Sequence, residues 1–352
     1  MLRQHEWYMQ RCLQLAKAGA GYTRPNPMVG AVLVYDNIII GEGYHREYGK
    51  AHAEVNCIAS VTDERRHLIA HSTLYVSLEP CAHYGKTPPC SDLIIKNKIP
   101  KVVIGCRDPF EQVDGKGIEK LKAAGVEVIT GILEKECIDL NKRFFIFHTQ
   151  KRPYIILKWA QTADKKIALN KNKRLIISNE FTNRLVHKWR AEEAAILVGT
   201  NTVTIDNPLL TNRLWAGKNP IRLVIDKHLK LASGARIFNH DAETIVFNLH
   251  KTSMELNVAP ENKVYYYKLN HEKNLIKQLA DACFKLNIQS ILVEGGARLL
   301  QSFIDEQLYD EVRIITNENM FAGNGIDAPV LINKLTQTNT MHIGTDKIDF
   351  LN

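Results

Sequence analysis

Three short segments bring together residue types that can do chemistry as a set: His52-Ala53-Glu54, Pro80-Cys81, and Cys90 nine residues further on. One imidazole and two thiolates supply three of the four ligands of a tetrahedral zinc, and a catalytic zinc keeps its fourth position for water. Zinc nucleobase deaminases carry H-x-E followed by P-C-x-x-C, with a glutamate that is not a ligand, and this chain keeps the first two parts but spaces its cysteines wider. Glu54 is therefore expected to be the general acid/base, taking a proton from metal-activated water and returning protons to the departing ammonia. An isolated HAE tripeptide arises by chance, and two cysteines at this spacing can be buried thiols or half of a structural site. The ordered combination, in helix, strand-end and helix contexts, points to one zinc per chain on His52, Cys81 and Cys90.

The elements that must position these groups follow from periodicity. Residues 4–18 have the helical period, AVLVY and IIIGEGYH read as a hairpin turning at Asp36-Asn37, and AHAEVNCIASV reads as a helix starting near Ala51. STLYVSLEPC reads as a strand ending in the Pro-Cys loop, and SDLIIKNK as a short helix with Ser91 as its cap. A helix N-terminus also favours thiolate over thiol. Strands at KVVIGCRD and VEVITGIL flank a helix, which makes the first half a three-layer α/β domain with one mixed sheet. The basic-aromatic stretch NKRFFIFHTQKRP is taken as the junction, giving domains 1–148 and 149–352. Beyond it, seven apolar runs alternate with helices at 179–193, 272–287 and 297–307, the pattern of a mostly parallel sheet.

Composition narrows the class. The chain has 352 residues, 45% hydrophobic and 24% charged, which suits two globular domains. No apolar run reaches the ~18 residues of a membrane span, and the first residues lack the h-region of a signal peptide. Seven cysteines, an odd number set mostly in apolar segments, read as reduced thiols of a cytoplasmic protein. The net charge of +8 is scattered and forms no stripe, so it serves a phosphorylated small molecule as well as a polynucleotide.

The segments RPNPMVGAV, GEGYH, HAEVNCI, EPCAHYGKTPPC and VVIGCRDPFEQVDGKGIEKLKAAGVEV resemble the deaminase half of the bifunctional riboflavin-biosynthesis deaminase/reductase family. In the second half, KWAQTADKKIA, NRLVHKWRAEEAAILVGTNTV, DNPLLTNR and VEGGARLLQSF resemble its reductase domain, so the likeness covers nearly the whole chain. It implies a cytidine-deaminase-like domain followed by a dihydrofolate-reductase-like one, with zinc and NADPH as cofactors. The implied substrate is a phosphorylated pyrimidine, 2,5-diamino-6-(ribosylamino)pyrimidin-4-one 5′-phosphate. It would be deaminated to the uracil and then reduced by hydride transfer to the ring-opened ribose. Carried over residue by residue, the resemblance implies that Asn26, His45, His83 and Lys86 line the deaminase pocket. Lys158 would be catalytic in the reductase, with Arg190, Leu210, Arg213 and Glu294 on the substrate side. Ala160, Ile176, Thr202, Asp206 and Gly296 would lie on the NADPH side. Both arginines suit the substrate phosphate, because a guanidinium offers a bidentate fork.

The chain departs from the family pattern at two positions near the expected cofactor site. Lys165 stands where the family has glycine, which is costly if φ is positive there, and Ile176 replaces a tryptophan that would offer an aromatic face. An impaired reductase is one alternative these changes raise. A deaminase of tRNA or a free nucleobase is another, opposed by the long insert between the cysteines and by the second domain. A zinc-stabilised scaffold is a third, which a fourth ligand such as His83 would favour. No nucleic-acid or membrane partner is expected, and a homo-oligomer, dimer or tetramer, is.

Overall fold

Asp36 and Asn37 both take positive φ, 44° and 63°, the conformation that two-residue hairpin turns require and that short polar side chains tolerate. They join β1 (Gly30–Tyr35) to β2 (Ile38–Tyr44). The computed structural model describes residues 2–84, 88–169, 175–253, 263–332 and 335–352. The chain divides into two compact units, Met1–Lys151 and Arg152–Asn352, three residues beyond the junction read from the sequence.

In the first unit, α1 (Leu2–Lys17) precedes the hairpin, and α2 (Ala53–Ala59) and a 3-10 turn (Asp63–His71) follow it. Then come β3 (Thr73–Leu78), α3 (Cys90–Lys96), β4 (Lys101–Cys106), α4 (Lys116–Ala123), β5 (Glu127–Thr130), α5 (Glu134–Leu140) and α6 (Lys142–Gln150). The sheet runs β2-β1-β3-β4-β5, with β1 antiparallel to both neighbours and β3, β4 and β5 parallel. Strand alternation sends side chains to two cores. Ala31, Leu33, Leu74, Val76, Val102 and Ile104 pack with Ala53, Ile94 and Leu121 of α2, α3 and α4. Val32, Val34, Tyr75 and Val103 pack with Met9 and Cys12 of α1 and Cys137 of α5. The result is three layers around one mixed sheet. Gly43 lets α2 lie directly on β2, since a Cβ there would sit 2.2 Å from Cys57 N.

Two expectations need correction. The helix α3 begins at Cys90, its N-cap is Pro89, and Ser91 lies buried inside it with Oγ unpartnered, so Ser91 is not the cap. The stretch taken as a junction is mostly α6, because Phe144 and Phe147, at i and i+3, bury one side of a turn.

The second unit contains β6 (Tyr154–Thr162), β7 (Lys166–Leu169), α7 (Glu180–Glu192), β8 (Ala195–Gly199), α8 (Thr200–Asp206), β9 (Ile221–Ile225), β10 (Thr244–Asn248) and β11 (Val264–Lys268). It continues with α9 (Leu275–Lys285), β12 (Ser290–Gly295), α10 (Ala297–Asp305), β13 (Glu311–Asn317), β14 (Gly325–Asp327), β15 (Gln337–Ile343) and β16 (Asp346–Leu351). The main sheet runs β11-β10-β9-β8-β12-β6-β13-β16-β15, parallel from β11 to β13 and antiparallel over the last two strands. Ile155, Leu157, Leu197, Leu223 and Val293 face a core with α9 and α10, while Ile196, Val198, Val224 and Val246 face Val203 and Leu210. The C-terminal ends of β8, β12 and β6 are adjacent, which is where open parallel sheets present ligand-binding loops. Among the described residues no helix is long and apolar enough to cross a membrane.

Candidate active sites

His52 is the extended N-cap of α2, Cys81 follows the end of β3, and Cys90 is the first residue of α3, so three element termini converge. Their ligand atoms lie within 4.8 Å of one another. His52 Nδ1 is 3.7 Å from Cys81 Sγ and 3.3 Å from Cys90 Sγ. Zinc bonds of 2.0–2.3 Å at tetrahedral angles separate a nitrogen and a sulfur ligand by about 3.5 Å, so the donors fit the ion by spacing as well as type. Cys81 is held well below the ordinary thiol value by a hydrogen bond with Cys90 and, after the opposing effect of burial, by His52. Glu54, in the first turn of α2, is buried, and that burial followed by the nearby Cys81 raises its carboxyl above the usual range. A buried carboxyl two positions along the chain from a metal ligand is placed to take up and return protons beside the metal.

His45 is buried beside this centre, its ring 5.4 Å from that of His52 and edge-on to it. Its Nδ1 donates to Ala51 O at 3.0 Å, which leaves Nε2 to accept from Asn26 Nδ2 at 3.2 Å. Burial pushes His45 toward the neutral form that this bonding requires. His83 has a buried Nδ1 without a partner and stands edge-on to Phe110 at 6.0 Å. It does not join the three donors, so among the described residues the scaffold alternative lacks its fourth ligand. Lys86 lies outside the described residues.

Three participants in this region escape the sequence reading. Asn56, one turn into α2, donates to Tyr44 O at 2.8 Å and Ala51 O at 3.2 Å, tying the helix to the segment that carries His45. Asp108 is buried after β4, and its carboxyl is pushed up to about 7 by that burial, against the Phe110 N–H it accepts. Glu79 immediately precedes Pro80-Cys81. The only sequence cue for these contacts is the pair of glycines in Asp114-Gly115-Lys116-Gly117, which announces a close backbone approach.

In the second unit, Lys158 on β6 and Glu294 on β12 are neighbours across paired strands, with Nζ 4.0 Å from the carboxylate. Arg190 of α7 grips Glu294 bidentately, at 2.8 Å through Nε and 2.7 Å through Nη2. Burial opposes ionisation of Glu294, yet Arg190 and Lys158 together hold its carboxyl down at about 2. Burial lowers Lys158 in spite of Glu294, which eases proton release from Nζ. The fork of Arg190, expected on a phosphate, is thus engaged by Glu294. Arg213 is exposed and donates to Thr211 Oγ1 at 2.8 Å, and its N–H donates to His187 Nδ1 at 2.9 Å. Leu210, in the same loop, is buried in left-handed backbone with φ 54°.

Gly296 is the N-cap of α10 and Thr202 belongs to the first turn of α8. A Cβ at Gly296 would lie 3.3 Å from Thr202 Oγ1, so a side chain at 296 would crowd a cradle formed by two helix starts. Two helix N-termini offering N–H groups to one place suit the phosphates of a dinucleotide. Ala160 lies toward the end of β6 and Asp206 closes α8. Ile176 is 66% exposed just before α7, on a segment fastened by Asn317 Nδ2 to Ile177 O at 2.8 Å.

Lys165 has φ 59°, the left-handed conformation in which glycine is favoured. It closes the turn between β6 and β7, its N–H donating to Thr162 O at 2.9 Å. Lys165→Gly is expected to stabilise the second unit by about 1 kcal/mol, the relief of left-handed strain. Thermal unfolding checks this, and an unchanged or lower midpoint would refute it.

Fold and donor set define a zinc-dependent deaminase unit of the cytidine deaminase class, continued in the same chain by a second, largely parallel α/β unit. Residues 2–106 match the cytidine and deoxycytidylate deaminase zinc-binding region, and residues 153–346 match the RibD C-terminal domain. The chain is 39% identical to riboflavin biosynthesis protein RibD of Aquifex aeolicus, over 97% of this chain and 97% of that protein. It is 35% identical to the Escherichia coli protein of that name, over 88% of this chain and 86% of that one. A solved structure from Thermotoga maritima, described as a diaminohydroxyphosphoribosylaminopyrimidine deaminase/5-amino-6-(5-phosphoribosylamino)uracil reductase, superposes with a TM-score of 0.88 at 36% identity, covering 99% of each chain. The chain belongs to the RibD family of riboflavin biosynthesis proteins. It is a bifunctional enzyme with zinc and NADPH as cofactors, and neither a tRNA deaminase nor one acting on another nucleobase is favoured.

Proposed function

We propose that the chain performs two steps of riboflavin biosynthesis: hydrolytic deamination of 2,5-diamino-6-(ribosylamino)pyrimidin-4-one 5′-phosphate, then reduction of the ribosyl chain to ribityl. The observation that carries the first step is the His52, Cys81 and Cys90 triad beside the buried Glu54. Zinc, when bound, supplies Lewis acidity. Glu54 takes the proton of the attacking water at its carboxylate and returns it to the amine that leaves as ammonia. Neutral His45 fixes the amide of Asn26 so that Asn26 Oδ1 is left to accept from an amino group of the pyrimidine. His83 and Lys86 are assigned to the substrate by the family resemblance alone.

In the second step NADPH supplies the hydride. Its phosphates are assigned to the segments of Thr202 and Gly296, with Ala160, Ile176 and Asp206 alongside. Lys158 offers N–H donors and a proton to the ring-opened ribose, and Glu294 orients Lys158. Arg190 holds Glu294, Leu210 shapes the loop, and Arg213 is assigned to the substrate phosphate. Unpaired thiols suit a cytoplasmic location. We also propose a homo-oligomer, dimer or tetramer, supported by the exposed Phe321, Val330 and Ile332, which light scattering checks against a 40.0 kDa monomer.

Purified, zinc-loaded protein given the diaminopyrimidinone is expected to release ammonia without NADPH, and then to oxidise NADPH on its addition. Ammonia without NADPH oxidation would overturn the reductase assignment. Neither product, with zinc bound at one per chain, would overturn the substrate.

A further inference from the structure

The turn that carries Cys81 is held from two sides. On one side the first N–H groups of α3 meet it, Cys90 N donating to Cys81 Sγ at 3.3 Å and Ser91 N to Cys81 O at 3.1 Å. On the other side stands Glu79, 4% exposed. Its Oε1 accepts from Gly117 N at 2.9 Å and Ile118 N at 3.1 Å, and its Oε2 from Gly115 N at 3.0 Å and Asp108 N at 3.3 Å. Four backbone donors on one buried carboxylate are charge-assisted bonds, and each donor would be left unsatisfied if the acceptor were removed.

The backbone is built for this approach. Gly115 has φ 88°, and a Cβ at Gly117 would fall 2.0 Å from Pro80 O, so the loop and the start of α4 lie flush against the Pro80-Cys81 turn. Glu79 is neither one of the three donors nor the acid/base.

We propose that Glu79 is a positioning residue for deamination, clamping residues 108–118 onto the Pro80-Cys81 turn and thereby setting where Cys81 Sγ meets the metal. The inference rests on the deaminase reading above. A carboxylate suits the clamp because all four of its partners are donors. In Glu79→Gln an NH2 replaces one oxygen at nearly constant volume, so it faces N–H groups, loses two of the four bonds and adds repulsion. The turn then shifts while the metal donors themselves are retained.

The test uses the full-length protein reconstituted with cobalt in place of zinc. The thiolate-to-cobalt charge-transfer band reports the sulfur geometry without any turnover. Glu79→Gln is expected to shift or weaken that band, to lower metal affinity and ammonia release about 10–100-fold, and to leave NADPH oxidation with the deaminated substrate unchanged. Gly117→Ala, which pushes the loop off Pro80 without altering any charge, is expected to move the same band. A wild-type band with ammonia release within twofold of wild type in Glu79→Gln would overturn the proposal. If Glu79→Gln does not fold, as judged by lost NADPH oxidation, Glu79→Asp and Gly117→Ala decide: altered bands support the clamp and wild-type bands overturn it. The band is read without substrate, so a wild type that releases no ammonia counts against the substrate assignment and leaves this test standing.

Discussion

Glu54→Gln is expected to slow ammonia release by about 10²–10⁴-fold, the range that a positioned general acid/base contributes. The change removes proton transfer and little else. Glu54 is not among the three donors, so zinc content should stay at one per chain. Its side chain is buried and its charged form is disfavoured by that burial, so a neutral amide of the same shape is well tolerated. NADPH oxidation with the deaminated intermediate supplied should match wild type. Ammonia release near the wild-type rate would remove Glu54 from its role. Loss of zinc together with activity would instead make it part of the metal's support.

The contrast between Glu54 and Glu79 explains how much of the site was legible in the sequence. His52, Glu54, Cys81 and Cys90 stand at element ends that hydrophobic periodicity already located, and their types in that order have one main chemical meaning. Glu79 has no such pattern. Its role depends on four N–H groups 29 to 39 residues on, which exist as a cluster only once β3 and β4 pair. The fold behaves likewise. Buried strands with β-branched runs, such as β8 and β12, were legible, whereas β15, largely exposed as QTNTMHI, has no apolar alternation to read. That the junction stretch begins as the helix α6 was not legible, because its nine residues offer only two buried aromatics. In the second unit the residues that meet are too far apart in the chain for local reasoning, and only the family resemblance pointed to Lys158, Arg190 and Glu294. That resemblance put Arg190 on the substrate side without disclosing that its guanidinium is spent on Glu294.

That engagement makes Arg190→Met the substitution with the largest expected cost in stability. Glu294 would keep a buried negative charge with only Lys158, 4.0 Å away, to balance it. Breaking a buried ion pair by removing one partner costs about 3–5 kcal/mol. The pKa of Glu294 gives an independent figure of the same size. Held at about 2 in the folded chain, against ~4.3 for a free glutamate, it contributes about 3 kcal/mol of stability at neutral pH. Because the folded value is depressed, this contribution is fully present above the unfolded pKa and is lost as the pH falls through about 2. Without Arg190, burial raises Glu294 in the folded variant, so the stability gap between wild type and Arg190→Met should be widest near neutrality and shrink as the pH falls from the variant's raised value toward about 2. Fluorescence of the buried Trp159 and Trp189 follows unfolding of the second unit. A gap that is constant with pH would show that Arg190 acts through packing and not through the carboxylate. The double variant Arg190→Met/Glu294→Leu separates stability from function, because it removes the Arg190–Glu294 pair and leaves Lys158, which burial already pushes toward the neutral amine, as the one remaining ionisable group of the three. It should recover most of the lost stability, as apolar replacement of buried pairs commonly does. It should not recover NADPH oxidation, since Lys158 then loses the carboxylate that orients its ammonium.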